Sequence, residues 1–468
     1  MVEQRQYDVI VIGGGSTGEN AAAYARENGL TAVVVESELI GGECSYWACI
    51  PSKVLLRPGE ALAAARRVPA AAAAVTGSVD VEAALHSRDE FSSNWNDESQ
   101  AQWLAGVDVD VVRGHGRLAG ARAVEVEAAD GARIVLTARH AVVVATGSAA
   151  AVPPIEGLRD IHSWDNRDVT AAKRIPPRLL VLGGGVVGSE MAQAYRRLGA
   201  EEVTIVEMAD RLLSAEEPFV GEELAGAFDA EGIRVLTGAK ATRAAREAAD
   251  GPVTLVLDDG TELVGDELVV AVGRRARTED IGLDTVGVRA DGFLEVDDQL
   301  RVQGVDGGWL YAAGDVNGRA LLTHQGKYQA RLVGDIIAGK DLRAWADHRA
   351  VPRVAFTDPQ IAAVGSTEQQ ARDAGIDVRT VRHDVGSVAG GALHGQGVQG
   401  SAQLVIDQQR RVVVGATFVG PGTGELLHAA TIAIVGEVPM ETLWHAVPAF
   451  PTMSEVWLRM LEADRGLG

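Results

Sequence analysis

Only two cysteines occur in the 468 residues of this chain, and they lie five positions apart in Gly41-Gly42-Glu43-Cys44-Ser45-Tyr46-Trp47-Ala48-Cys49-Ile50-Pro51-Ser52-Lys53. A Cys-x4-Cys loop can close into a disulfide. Disulfides that staple a fold belong to small secreted domains with weak cores, and a single pair confined to one loop of a long chain points to thiol redox chemistry instead. Lys53 follows Cys49 by four residues, so on a helix the thiol and the ammonium share one face. A cation so placed favours the thiolate, the form that exchanges with disulfides and donates electrons.

The segment just upstream shows what positions this loop. Tyr7 to Ile12 is an apolar run that ends in Gly13-Gly14-Gly15-Ser16-Thr17-Gly18. An alanine-rich helix from Glu19 to about Asn28 follows, then a buried strand from Thr31 to Val35 that ends in Glu36. Strand, Gly-x-Gly-x-x-Gly, helix, strand and acid in register form a dinucleotide-binding fingerprint. Gly13, Gly15 and Gly18 allow a tight turn and a close approach of backbone N–H groups to a pyrophosphate. Ser16 and Thr17 lie in the same turn, the N-terminus of the following helix adds a dipole that favours the same anion, and Glu36 can accept hydrogen bonds from a ribose diol.

The unit then recurs. Leu179 to Leu182 leads into Gly183-Gly184-Gly185-Val186-Val187-Gly188, a helix from Ser189 to Leu198, and a strand from Val203 to Val206 that ends in Glu207. Gly183, Gly185, Val187 and Gly188 occupy the second turn. Two complete fingerprints imply two dinucleotides, as electron transfer between a flavin and a nicotinamide requires.

Between the units lie an alanine-rich stretch, Glu60 to Val75, a polar helical stretch around Arg88 to Leu104, and the apolar run 141–145 that ends at Thr146-Gly147. The segment 153–157 reads as a linker. From about Val351 the texture changes to alternating strands, such as Ala402 to Ile406 and Val412 to Thr417, among helical segments, which suggests a separate α+β domain. The length fits about three domains. A net charge of −22 argues against nucleic acid or an anionic membrane as partner, since both need clustered Lys and Arg. No run approaches the roughly 18 apolar residues of a membrane span. The start of the chain runs into a strand without a secretory apolar region, so a cytoplasmic protein is expected. No metal-ligating set is read from the chain.

The order of these motifs resembles the class I pyridine nucleotide-disulfide oxidoreductases, which include dihydrolipoamide dehydrogenase, glutathione reductase and mercuric reductase, and the resemblance covers nearly the whole chain. It implies an α/β fold: two Rossmann-like dinucleotide-binding domains and a C-terminal α+β dimerisation domain. An FAD domain would comprise 1–152 and 280–347, an NAD(P) domain 153–279, and a homodimer-forming domain 348–468. By the same resemblance FAD is held by the first fingerprint with Gly42, Glu43, Lys53, Gly116, Thr146, Gly147, Asp315 and His324. The second fingerprint and Gly273 would hold the nicotinamide nucleotide. Cys49 would be the thiolate beside the flavin, Cys44 the thiol that exchanges with the acceptor, and Lys53 the cation near the ring. Glu190 would be the acid paired with Lys53. Glu207 at its strand end welcomes a 2′-hydroxyl and repels a 2′-phosphate, which favours NADH over NADPH, with Arg211 as a partial offset.

One departure bears on function. Disulfide-reducing members carry a His-Pro-Thr-x-x-Glu type segment near the C-terminus, and here it reads Phe450-Pro451-Thr452-Met453-Ser454-Glu455. Phe450 stands in the place of the imidazole, while its orienting partner Glu455 remains. Phenylalanine cannot move a proton, and acid–base help is worth about 10²–10⁴ in rate. His445 is out of register, and His428 reads as an ordinary helix residue. The expectation is an NAD(P)H-dependent flavoenzyme with a working Cys44–Cys49 pair and a small-molecule acceptor that needs no imidazole: a quinone, a metal ion or a specialised sulfur compound. The alternatives are a dihydrolipoamide dehydrogenase-like disulfide reductase, or reductive carbon–sulfur cleavage resembling the 2-ketopropyl-coenzyme M oxidoreductase/carboxylase. A third is a flavin-stabilised subunit without turnover, though a scaffold needs none of Cys44, Cys49, Lys53 and Glu190.

Overall fold

The computed structural model describes residues 3–249, 251–289 and 292–467. The chain forms two compact units. One runs to Pro51 and adds Asp89–Ala150 and Arg274–Asp347, and the other takes Ser52–Arg88, Ala151–Gly273 and His348 onward.

The first unit is built on a seven-stranded sheet. Its centre is the strand Glu3–Ile12, paired in parallel with Ala32–Glu36 on one side and Arg133–Val144 on the other. Asp110–Arg113 extends the sheet beyond Ala32–Glu36, and Leu310–Ala312 also pairs in parallel with Arg133–Val144. Val9, Ile10 and Val11 are fully buried, as expected for a parallel strand covered on both faces. The helix Ser16–Glu27 packs its alanine face inward through Ala21, Ala22 and Ala25.

The second unit repeats this plan in a four-stranded parallel sheet, Ile233–Leu236, Glu202–Val206, Arg178–Leu182 and Glu267–Val270, with the helix Val186–Arg197 after the glycine turn. A small antiparallel sheet of Ala241–Arg246, Val253–Leu257 and Glu262–Gly265 closes its own apolar cluster. The same unit contains a five-stranded antiparallel sheet in the order Arg353–Ala355, Gln360–Gly365, Val412–Gly420, Ser401–Asp407, Val378–Asp384. Helices Leu427–Val435 and Glu455–Asp464 cover that sheet through Ala430, Ile434, Val456 and Met460. The α/β fold class and the C-terminal change of texture are thus as the sequence implied.

Two stretches differ in detail. The polar helical stretch divides into Val81–Phe91 and Glu98–Gly106. The break is a turn in which Ser93, Asn94 and Trp95 all take φ near +50° to +55°, a conformation no helix can propagate. The alanine-rich stretch is the end of a helix that begins at Cys49, Cys49–Arg67, followed by the short helix Pro69–Ala72. Pro69 lacks the N–H that would continue the first helix and is well suited to open the second.

Candidate active site

The two glycine turns have nearly the same geometry. Gly13 and Gly183 take φ of +101° and +108°, and a Cβ on either would strike the carbonyl oxygen of Ala145 or Ala271 at 2.4 or 2.5 Å. A Cβ on Gly18 would lie 1.8 Å from the Gly13 oxygen, and one on Gly188 would lie 1.9 Å from the Gly183 oxygen. These positions pack helix on strand. Gly185 has open space where its Cβ would be, and Gly15 meets only the Gly42 Cα at 3.9 Å, so both turns leave bare backbone for a pyrophosphate to approach. The acids are held alike. Glu36 accepts from the backbone N–H of Gly14 at 2.6 Å and of Glu38 at 2.6 Å, and Glu207 accepts from Gly184 at 2.5 Å and Ala209 at 2.6 Å. The residues present therefore fit two dinucleotides. Val187 and Met208 are exposed beside the second turn, and Arg211 is bonded to Asp210 and the Ser214 carbonyl.

The cysteine loop is tied to the first turn by its backbone. Gly41 donates to the Gly14 carbonyl at 2.8 Å, and a Cβ on Gly42 would lie 2.8 Å from the Gly15 Cα. The short helix Gly42–Tyr46 carries Cys44, and Cys49 opens the long helix. Tyr46 is fully buried and anchors the loop by donating to the Ile40 carbonyl at 3.0 Å. Both cysteines are thiols and half-buried. Hydrogen bonding to Cys49 and burial push the Cys44 thiol far up, against the pull of Thr323 and Lys327. Such a pair shares one proton before it gives up two. Thr323, at the start of the helix Thr323–Ile337, lies 3.2 Å from the Cys49 sulfur.

Around the same turn, Glu43 receives a hydrogen bond from Arg277 at 3.0 Å. The Arg277 carbonyl accepts from Thr146 Oγ1 at 2.6 Å, and Arg277 N–H donates to the Gly147 carbonyl. Asp315 accepts from Ser148 Oγ at 2.5 Å, and Ser148 accepts from Arg274 Nε at 2.6 Å. Burial raises the Asp315 carboxyl, with Ser148 and Arg274 opposing. Thr17 fits under Gly314 and Gly326, where any Cβ would strike its hydroxyl. Gly116 packs on Val35, His324 is exposed in the first turn of its helix, and Gly273 takes φ of +131° in open space.

In the second unit Lys53 Nζ lies 2.8 Å from Glu190 Oε2. Glu190 is 2% exposed, and its other oxygen accepts from the Phe356 backbone N–H at 2.8 Å. The Phe356 ring stands 4.9 Å under the Lys53 ammonium, a cation–π contact. The buried carboxylate is thus fully engaged, and the ammonium is fixed by charge on one side and an aromatic face on the other. Phe356 and Thr323 were not among the residues singled out by sequence. Their partners lie far along the chain, and neither sits in a recognisable motif.

The C-terminal segment places Phe450 77% exposed. Glu455 opens the helix Glu455–Asp464. One of its oxygens accepts from Arg459 at 2.8 Å, while the other is buried with no partner among the described residues. His445 and His428 are both exposed.

The sequence pattern of the pyridine nucleotide-disulphide oxidoreductases matches residues 7–330, and that of the family's dimerisation domain matches residues 351–461. The chain is 34% identical over 457 residues to a dihydrolipoyl dehydrogenase of Chlorobaculum tepidum, covering 96% of this chain and 95% of that one. It is 30% identical over 454 residues to a mercuric reductase of Staphylococcus aureus, covering 96% and 81%. In fold it is similar to the Cu(II) complex of the HOCl-induced flavoprotein disulfide reductase RclA from Escherichia coli, with a TM-score of 0.85 at 23% identity over 98% of this chain and 99% of that one. LpdA from Mycobacterium tuberculosis gives a TM-score of 0.83 at 24% identity over 99% of each chain. The chain belongs to the pyridine nucleotide-disulphide oxidoreductases. It is an enzyme of a family whose cofactors are FAD and NAD(P)H. The matched dimerisation domain supports a homodimer. Among the described residues no helix is long and apolar enough to cross a membrane.

Proposed function

We propose that the chain takes electrons from NADH, by way of FAD, to the Cys44–Cys49 pair and on to a small-molecule acceptor that draws no proton from a C-terminal imidazole. A quinone, a metal ion or a specialised sulfur compound meets that condition. FAD supplies the two-electron station between nicotinamide and thiols. In this reading it is held by 1–152 and 280–347 through the Gly13–Gly18 turn, Glu36 and Asp315, and the nicotinamide nucleotide by 153–279. The two 348–468 domains pair. Lys53, locked by Glu190 and Phe356, keeps a fixed positive charge near the site where negative charge develops. Glu207 favours a free ribose 2′-hydroxyl.

The observation that carries this reading is Phe450. It is 77% exposed at the head of a segment that keeps Glu455 and has no imidazole in register. An apolar ring facing a thiol leaves departing thiolates unprotonated and disfavours the attacking thiolate. Steady-state assays with NADH should find lipoamide and oxidised glutathione poor acceptors and a quinone a better one. Phe450→His should raise disulfide turnover by roughly 10²-fold, at the low end of acid–base catalysis, and leave the quinone rate in place. Robust lipoamide turnover by the unmodified enzyme, unchanged in Phe450→His, would defeat the reading.

A further inference from the structure

The hairpin that joins the strands Arg353–Ala355 and Gln360–Gly365 turns through Phe356, Thr357, Asp358 and Pro359. Backbone groups of a buried turn need partners, and here side chains of the helix Val186–Arg197 supply them. Glu190, Gln193 and Arg197 share one face of that helix. Glu190 accepts from the Phe356 N–H at 2.8 Å. Gln193, 1% exposed, accepts from the Asp358 N–H at 2.7 Å and donates to the carbonyl of the same residue at 2.8 Å. Its Nε2 also donates to Glu231 at 2.8 Å, so the amide fits only one way round. Arg197 bonds the Asp358 carboxylate at 2.8 Å and forks onto Glu231 at 2.6 and 2.9 Å. Arg67, about four turns beyond Lys53 on the helix Cys49–Arg67, reaches the same Asp358 oxygen. Two guanidinium groups thus meet two carboxylates, and the network carries no net charge.

We propose that Gln193 is a positioning residue for flavin reduction: by clasping Asp358 it sets the chain register that holds Phe356 under Lys53. This role rests on the reading of Lys53 as the fixed charge where the flavin gains electrons. Phe356 and Asp358, two residues apart, both present their N–H groups to the helix, as alternate residues of an extended chain do. A slip of one residue would turn the Phe356 N–H away from Glu190 and its ring away from Lys53. Two bonds from one amide to one residue prevent that slip. Lys53 is a flexible side chain, 34% exposed, and its ammonium stays in place only while both its contacts do. With the Phe356 N–H gone, the second Glu190 oxygen would be left buried without a partner and would draw the ammonium onto itself. The clasp therefore keeps the positive charge preorganised before electrons arrive, although Gln193 itself acts on Lys53 only through Glu190 and Phe356.

The test is stopped-flow reduction of the flavin by NADH, without oxygen, in the purified holoenzyme and its variants. Gln193→Glu has the wild-type shape and keeps an acceptor for the Asp358 N–H, but it has no N–H for the carbonyl or for Glu231. Gln193→Leu has neither. The limiting rate at saturating NADH should fall by about tenfold in Gln193→Glu and at least as far in Gln193→Leu, within what a displaced contact group costs. The half-saturating NADH concentration should hold, and the flavin midpoint potential should move to more negative values, as it should in Lys53→Met. In the Lys53→Met background either substitution should cost no more than about twofold further, because changes that act through one group do not add. If Gln193→Leu yields no flavoprotein, Gln193→Glu decides alone. A wild-type limiting rate in Gln193→Glu, a loss confined to the half-saturating concentration, or an undiminished loss in the Lys53→Met background overturns the clasp and leaves Lys53 as the fixed charge. A wild-type rate in Lys53→Met overturns the reading of Lys53 and the clasp's role with it.

Discussion

The two glycine turns make the same backbone and do different work. In each, the first glycine holds φ above +100° against a carbonyl, the last admits a carbonyl oxygen closer than any Cβ could allow, and a strand-end glutamate clamps the middle N–H. They part in the residues that follow. After Gly18 comes Glu19, with one buried oxygen left without a partner; the equivalent position after Gly188 is Ser189, whose hydroxyl donates to the Gly184 carbonyl at 3.2 Å. The next residue is Asn20 in the first turn and Glu190 in the second, where both carboxylate oxygens are engaged by Lys53 and Phe356. Backbone geometry thus defines a site for a dinucleotide, and one or two side chains after the last glycine decide which chemistry is set beside it. One turn carries an acid free to titrate, the other an acid locked into an ion pair.

The sharpest break of this parallel is at the last glycines. Gly18→Val should yield protein without bound flavin, and Gly188→Val should yield flavoprotein that NADH no longer reduces, as read by absorbance after purification and on NADH addition. Next in size is the locked pair. Lys53→Met should slow flavin reduction by NADH by about 10²-fold, the scale of losing one fixed electrostatic contact, with Glu190→Gln smaller; stopped-flow absorbance checks both. Glu207→Ala should shift the NADPH-to-NADH ratio of kcat/KM by roughly ten- to hundredfold toward NADPH by removing a like-charge clash. An unmoved ratio would assign the choice to Arg211 or to Arg274 and Arg275.

The remaining effect, read as stability rather than rate, concerns Glu19. Its folded value near 7 lies above the ordinary 4.5, so between those pH values the folded protein binds more protons than the unfolded chain. Stability is then lost as pH rises from about 4.5 to about 7. Glu19→Gln should remove that loss, raising stability at pH 8 relative to pH 5 by up to about 3 kcal/mol, since each unit is worth about 1.4 kcal/mol. Urea unfolding of the flavoprotein at the two pH values measures it, and equal gains at both would mean that Glu19 is not held protonated by burial.

Much of this was legible because it is local. The fingerprints, the Cys-x4-Cys loop and the helical spacing of Cys49 and Lys53 each lie within a few dozen residues, and the structure brings Lys53 onto Glu190. Glu3 to Gln6 escaped the first strand because they are polar and exposed, and they become strand only by pairing with Ile134 to Thr137. The turn at Ser93–Trp95 breaks a helical pattern without Gly or Pro, and its signal, the run of Ser, Asn and Asp from Ser92 to Asp97, is weaker than theirs. Phe356 and Thr323 escaped for a different reason. Each meets its partner from more than a hundred residues away, and a lone Phe or Thr carries no spacing signal.

The claim on which the rest depends is that electrons from NADH reach Cys44 and Cys49. Anaerobic addition of NADH to the purified flavoprotein, followed by thiol counting under denaturing conditions, tests it most directly. The account predicts two titratable thiols appearing on reduction, together with a long-wavelength charge-transfer band that Cys49→Ser abolishes. No change in thiol content on full reduction, or a band that survives in Cys49→Ser, would contradict it.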